Sequence, residues 1–128
     1  SRTMGEHSQL LEILDSMAGD KRRIYSANLP NDGAVPNLPR DAILELSSVA
    51  TGRGLRAIQV PDLADTLAAP LVRKISAQAL TVEAALTGSR TLFVEALLAD
   101  GSVSDYTTAG RLADELLNAH ARYLPRFA

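Results

Sequence analysis

The chain has 128 residues, a formal net charge of −2, 46% hydrophobic and 22% charged residues, which amounts to about one domain. It contains no cysteine, and this excludes disulfides, thiolate nucleophiles and sulfur-ligated zinc or iron–sulfur sites. The near-neutral charge argues against non-specific nucleic-acid binding, and no run approaches the ~20 apolar residues that cross a bilayer.

Leu10, Leu11, Ile13, Leu14 and Met17 recur at helical spacing and predict an amphipathic helix over about 7–18, stopped by Gly19. The run Lys21-Arg22-Arg23 reads as a solvated helix exit, with an anion patch as the alternative. Alternation over 24–29 predicts a strand with Ile24, Ser26 and Asn28 on one face and Tyr25, Ala27 and Leu29 on the other. Between Pro30 and Pro39, three prolines, two asparagines and a glycine dictate a structured loop, in which Gly33 can take positive φ. Residues 42–46 and 55–60 predict two strands around the turn Thr51-Gly52-Arg53-Gly54, a hairpin over about 42–60.

Pro61 ends that strand, and Asp62 is the expected N-cap of a long helix. Leu63, Leu67, Leu71, Ile75, Ala79, Val82 and Leu86 form one stripe of about seven turns, with a kink expected at Pro70. Gly88 is the expected left-handed cap, and Ser89 the cap of the next helix, which carries Leu92, Phe93, Ala96 and Leu97 and stops near Asp100-Gly101. A last helix is expected from Thr107 or Thr108 through Leu112, Leu116, Ala119, His120 and Tyr123 to Pro125. The fold class is α+β: a small, mostly antiparallel sheet with helices, as one domain over 1–128.

Self-contained chemistry finds little support. His7 and His120 lack partners at ligand spacing, so the sequence offers no metal site. Gly52-Arg53-Gly54 lacks the third glycine of a dinucleotide fingerprint and precedes a strand rather than a helix. The pairs Asp62 with Asp65 and Asp114 with Glu115 lie on polar helix faces without an apolar pocket to raise a pKa. The asparagines among prolines differ. Burying Asn28, Asn31 and Asn37 costs free energy unless their amides are hydrogen-bonded, so they either hold the loop's own backbone or help form a pocket wall completed by another domain or subunit. Asn31, Gly33 and Asn37 are the candidate pocket-lining residues.

This same region, Asn28-x-Pro30-Asn31-x-Gly33-x-Val35-x-Asn37-Leu38-Pro39-x-Asp41-x-x-x-Glu45, resembles the Asn-x-Pro-Asn-x-Gly-x-Ile-x-Asn-Leu-Pro stretch of the family 4 glycoside hydrolases. Gln78-Ala79-Leu80-Thr81-Val82-Glu83-Ala84-Ala85-Leu86-Thr87-Gly88 is similar to that family's long-helix signature, and Ala119-His120-Ala121-Arg122-Tyr123-Leu124-Pro125-Arg126-Phe127 to its C-terminus. Two positions depart from the pattern: Glu45 is followed by Leu46 rather than proline, and Asp100 by Gly101 rather than proline.

The resemblance implies the C-terminal domain of such an enzyme, with a fold resembling the C-terminal domain of lactate and malate dehydrogenases. It also implies that the parent uses NAD and divalent manganese to cleave α- or β-glycosides by oxidation at C3, elimination and re-reduction. The family's NAD loop belongs to an N-terminal Rossmann domain, and its metal-ligating Cys and His and its Tyr base to a middle portion; no position here matches any of them. No catalytic, cofactor-binding or metal-binding residue is therefore assigned to this chain, and it is expected to be inactive alone. The expected partner is the missing Rossmann domain or another subunit in a cytoplasmic homo-oligomer, without nucleic acid or membrane. The first residue is Ser1 rather than Met, which fits a processed or cut chain. The alternative is a stand-alone, homo-oligomeric interaction module. A third reading, a stand-alone sugar-binding domain, is disfavoured by the 4% aromatic content, because sugar faces are usually met by rings.

Overall fold

The computed structural model describes residues 6–127, with side chains from Gln9 onward, and the chain divides into two compact units, Ser1–Leu63 and Ala64–Ala128. The first unit contains α1 (Glu6–Ala18), β1 (Ile24–Pro30), β2 (Ile43–Thr51) and β3 (Gly54–Ala57). The strands form one antiparallel sheet in the order β1-β2-β3, with Ile24 opposite Val49, Pro30 opposite Ile43 and Ser48 opposite Ala57.

β1 alternates as its sequence predicts: Tyr25, Ala27 and Leu29 are the more buried set, while Ile24, Ser26 and Asn28 face outward. On β2, Leu46, Ser48 and Ala50 turn inward, and α1 packs against this strand. Polar atoms lock the joint. The buried Ser16 hydroxyl donates to the Ala50 carbonyl at 3.4 Å, and the Tyr25 hydroxyl donates to the Glu12 carbonyl at 3.1 Å. The opposite face of the sheet is open, with Ile24 63% and Ile43 58% exposed.

The strands differ in length from their sequence expectation. β2 continues through Ser47-Ser48 to Thr51, because ladder bonding and the Ser48 hydroxyl, which donates to the Tyr25 carbonyl at 3.0 Å, override weak strand propensity. β3 ends at Ala57 rather than Val60. Beyond it the Val60 amide leaves the ladder and donates to the Ala34 carbonyl at 2.8 Å.

The second unit contains α2 (Asp65–Thr87), α3 (Arg90–Asp100), α4 (Tyr106–Ala119) and two 3₁₀ turns, Ala121–Tyr123 and Pro125–Phe127. α3 packs against both α2 and α4. Its core is Val94, Ala109 and Ala113, ringed by Phe93, Leu97, Leu98 and Val103. Alanines at the contacts let backbones approach closely, and burying one valine contributes about 1.5–3 kcal/mol. Gly88 (φ 70°) and Gly101 (φ 86°) end α2 and α3 in the left-handed conformation, and Ser89 caps α3 by accepting from the Leu92 amide.

Helix starts differ from the sequence reading. α2 begins at Asp65 after Ala64, which makes no side-chain capping bond, so Asp62 is not its cap. Pro70 lies inside α2 without ending it. α4 begins at Tyr106, because the Asp105 carboxylate accepts from the Thr108 amide at 2.8 Å. It stops before His120, which caps its C-terminus.

The expected stripe on α2 is largely on the outside. Leu67, Leu71, Val82 and Leu86 are 42–62% exposed, whereas Ala68, Ala77 and Ala84 are the buried positions.

Candidate functional site

The loop between β1 and β2 is built around one side chain. Asn31 is 1% exposed, and its Oδ1 accepts from the Val35 amide at 2.7 Å. Its Nδ2 donates to the carbonyls of Val35, Leu38 and Pro39 at 2.9, 3.0 and 3.1 Å. Backbone pairs close the neck of the loop: the Asn31 amide donates to the Ala42 carbonyl and the Asp32 amide to the Arg40 carbonyl, both at 2.8 Å. Ala34, Val35, Leu38 and Ala42 are buried beneath it. A segment with three prolines lacks three amide donors, so a primary amide holding the remaining groups is what allows it to be buried in part.

Asn37 fixes the far end. Its Nδ2 donates to the Leu63 carbonyl at 2.8 Å, and its Oδ1 accepts from the Leu63 amide at 2.9 Å. At the tip, Asp32 (φ 42°) and Gly33 (φ 90°) both adopt left-handed backbone, and Arg40 pairs with the Asp32 carboxylate across the turn. A Cβ built on Gly33 would lie 3.3 Å from the Arg40 guanidinium.

A hollow of about 380 Å³ opens beside this tip, bordered by Asp32, Gly33, Ala34, Arg40, Arg56 and Gln59, with Asn31 at its edge. Asn31 and Gly33 thus meet at one place, while Asn37 is directed to Leu63 instead. Arg40, Arg56 and Gln59 are additions that sequence reasoning did not single out. Arg56 lies on β3 and Gln59 just after it; the hairpin is predicted from its turn, but nothing in the local pattern announces that its end reaches the loop tip. Asn28 lies outside the loop, on the open face of β1 opposite Glu45, whose carboxylate accepts from the Ser26 hydroxyl at 2.8 Å.

Other groups weighed from sequence have structural engagements. Asp114 takes a two-pronged contact from Arg90, at 2.6 and 2.8 Å, which holds its carboxyl below the usual carboxylate range. Gly52-Arg53-Gly54 forms the turn between antiparallel β2 and β3, a geometry without the strand-to-helix junction that binds dinucleotides. The side chain of His7 lies outside the described residues, and His120 is exposed at the end of α4.

Residues 2–103 match the family model of the family 4 glycosyl hydrolase C-terminal domain. The chain belongs to this family. It is 32% identical over 115 residues to a probable 6-phospho-β-glucosidase of Bacillus subtilis (strain 168), covering 90% of this chain and 26% of that protein. It is 31% identical over 133 residues to an α-galactosidase of Rhizobium meliloti (strain 1021), covering 99% of this chain and 26% of that protein. Two crystal structures of 6-phospho-α-glucosidase from gut microorganisms share its fold. One, in complex with NAD and glucose-6-phosphate, gives a TM-score of 0.85 at 25% identity over 95% of this chain and 28% of its own. The other, in complex with NAD and Mn2+, gives 0.83 at 22% identity over 92% and 28%.

The chain therefore spans about a quarter of the length of the relatives it matches. Among the described residues no group of three or more His, Asp or Glu side chains is placed to hold a metal ion, and none forms a glycine-rich strand-to-helix loop. Among the described residues no helix is long and apolar enough to cross a membrane.

Proposed function

We propose that this sequence acts as the C-terminal part of a glycosidase that hydrolyses O-glycosyl bonds by an NAD-dependent oxidation–elimination route requiring divalent manganese. In this reading the 128 residues complete the fold, supply one wall of the substrate pocket and make oligomer contacts, and they are inactive alone. The wall is the loop carrying Asn31, Gly33 and Asn37. The observation that carries the reading is the internal bracing of that loop: Asn31 bonds four backbone groups inward. A rigid loop positions a neighbouring surface without loss of conformational entropy at binding. The proposed compartment is the cytoplasm.

The test is the size of the polypeptide carrying this sequence in its source cells, read by an antibody raised against the chain. The expected product is about four times the 13.6 kDa of these residues, since they make up about a quarter of each relative. A product of 13.6 kDa as the sole species would contradict the reading.

A second reading, a homo-oligomeric interaction module without catalytic activity, is favoured by the outward stripe of Leu67, Leu71, Val82 and Leu86 on α2. Apolar side chains gathered on one helix face commonly mark a contact surface. Sedimentation across a concentration series tests it; a strict monomer at the highest concentration would contradict self-association.

A further inference from the structure

Two turns of the first unit meet at one end of the sheet: the turn between α1 and β1, and the turn between β2 and β3. They are fastened together by the Gly52 amide, which donates to Asp20 Oδ1 at 2.9 Å. A hollow of about 740 Å³ lies between them, lined by Asp20, Arg22, Thr51, Gly52, Arg53 and Arg56.

Three arginines line this hollow against one aspartate, and both carboxylate oxygens of that aspartate are engaged. Oδ1 holds Gly52, and Oδ2 accepts from Arg22 at 3.3 Å (Nε) and 3.2 Å (Nη2). Among the described residues neither Arg53 nor Arg56 forms an ion pair. Thr51 serves the turn itself, donating to the Gly54 carbonyl and accepting from the Arg53 amide.

The gathering of charge is not a consequence of composition. The whole chain is net negative, yet Lys21, Arg22, Arg23, Arg53 and Arg56 are five of the seven basic residues between positions 1 and 63. The structure also divides the basic run. Lys21 turns to Asp15, whereas Arg22 borders the hollow together with two arginines from another turn. Asp20 (φ 45°) and Arg22 (φ 55°) hold left-handed backbone without being glycine. That backbone is uncommon for residues other than glycine, so the surrounding contacts must fix it.

Guanidinium forks whose donors are not already paired are the donor set for a tetrahedral oxyanion, because each offers parallel N–H groups matched to two oxygens. We infer that this hollow binds a phosphate group through Arg53 and Arg56, with Arg22 as a third cation; Arg56 also borders the hollow beside the Asn31 loop, and the inference does not rest on the glycosidase reading. The ligand is inorganic phosphate or a phosphate monoester. These share the oxyanion and differ only in the group attached to it.

The experiment follows backbone amide NMR shifts of Gly52, Arg53 and Gly54 in the 128-residue chain. Inorganic phosphate and glucose 6-phosphate are titrated separately at an ionic strength held constant with sodium chloride. Saturable shifts confined to these two turns are expected. A tighter curve for the ester identifies a monoester as the ligand, and equal curves identify free phosphate. The doubly substituted Arg53→Ala, Arg56→Ala chain, whose remaining spectrum reports that it is folded, should bind at least tenfold more weakly. Asp20→Asn keeps an oxygen acceptor for Gly52 and a residue type that tolerates positive φ, while removing the opposing charge; it should bind several-fold more tightly. Absence of saturable shifts beyond chloride, unchanged affinity in the double variant, or unchanged or weaker affinity in Asp20→Asn would each overturn the assignment.

Discussion

Asn31 and Val35 exchange two hydrogen bonds across four residues: the Val35 amide donates to Asn31 Oδ1 at 2.7 Å, and Asn31 Nδ2 donates to the Val35 carbonyl at 2.9 Å. With the further bonds to Leu38 and Pro39, one amide carries the polar accounting of a proline-rich loop. Asn31→Ala should therefore destabilise the protein by about 2–4 kcal/mol, since it strands several buried backbone groups. Asn31→Asp should be at least as harmful, because a carboxylate would face three carbonyls. Asn37→Ala removes two exposed bonds to Leu63 and should cost only about 0.5–1.5 kcal/mol. Urea denaturation of the three variants checks the order, and equal losses for Asn31→Ala and Asn37→Ala would contradict it.

Gly88 is held by a close approach as well as by its φ of 70°. A Cβ at this position would lie far inside van der Waals contact with the Arg126 carbonyl oxygen, and Arg126 in turn donates to the Leu86 carbonyl. Phe127 meets Phe93 edge-on beside it, with ring centroids 6.3 Å apart. Gly88→Ala should cost about 2–4 kcal/mol and expose the last residues to carboxypeptidase. Unchanged stability would show that the C-terminal turn does not pack as described.

The loop and the helix ends show what a sequence can and cannot disclose. Proline spacing located the loop, and the rule that a buried amide must be bonded pointed to Asn28, Asn31 and Asn37 alike; only Asn31 is buried, while Asn28 and Asn37 are exposed. Gly88, Ser89 and Gly101 are capping signals that act within a few residues, and each did so where expected. The face of α2 was misjudged for a different reason. Leu67, Leu71, Val82 and Leu86 make the stronger hydrophobic pattern, but close packing of helices selects small side chains, and Ala68, Ala77 and Ala84 are the buried ones. The hairpin that carries Arg56 is signalled by its turn, but the hollow beside Gly33 also depends on the Val60–Ala34 bond that brings Gln59 toward the loop tip, and that contact has no local signal.

The exposed stripe gives a prediction of opposite kind. Leu67→Glu with Leu86→Glu should change folding stability by less than about 1 kcal/mol, because these side chains are 60% and 62% exposed. The same double variant should lower any self-association seen by sedimentation at high concentration. Loss of folding instead would place the two leucines in the core.

Several carboxyls titrate below their ordinary range: Asp15 through Lys21, Asp20 through the Gly52 amide, Asp100 through Lys74, Asp105 through the Thr108 amide and Asp114 through Arg90. A depressed folded pKa means that the native state binds fewer protons than the unfolded chain. The stabilisation is then complete above the unfolded value near 3.9 and is lost as pH falls through the lower folded values. The unfolding midpoint should start to fall below about pH 5 and drop steeply below about pH 4. Asp114→Asn should lower the midpoint at neutral pH and flatten the acid limb. A midpoint that rises on acidification would contradict the ion pairs described.

The chain belongs to the family 4 glycosyl hydrolase C-terminal domains, and by itself it is expected to hold neither nucleotide nor metal. Thermal unfolding of the 128-residue chain, titrated with NAD and manganese ions together, tests this most directly, because a ligand bound to the folded state must raise the midpoint by mass action. The predicted result is a midpoint that does not move saturably with either ligand. A saturable rise of several degrees would contradict the account.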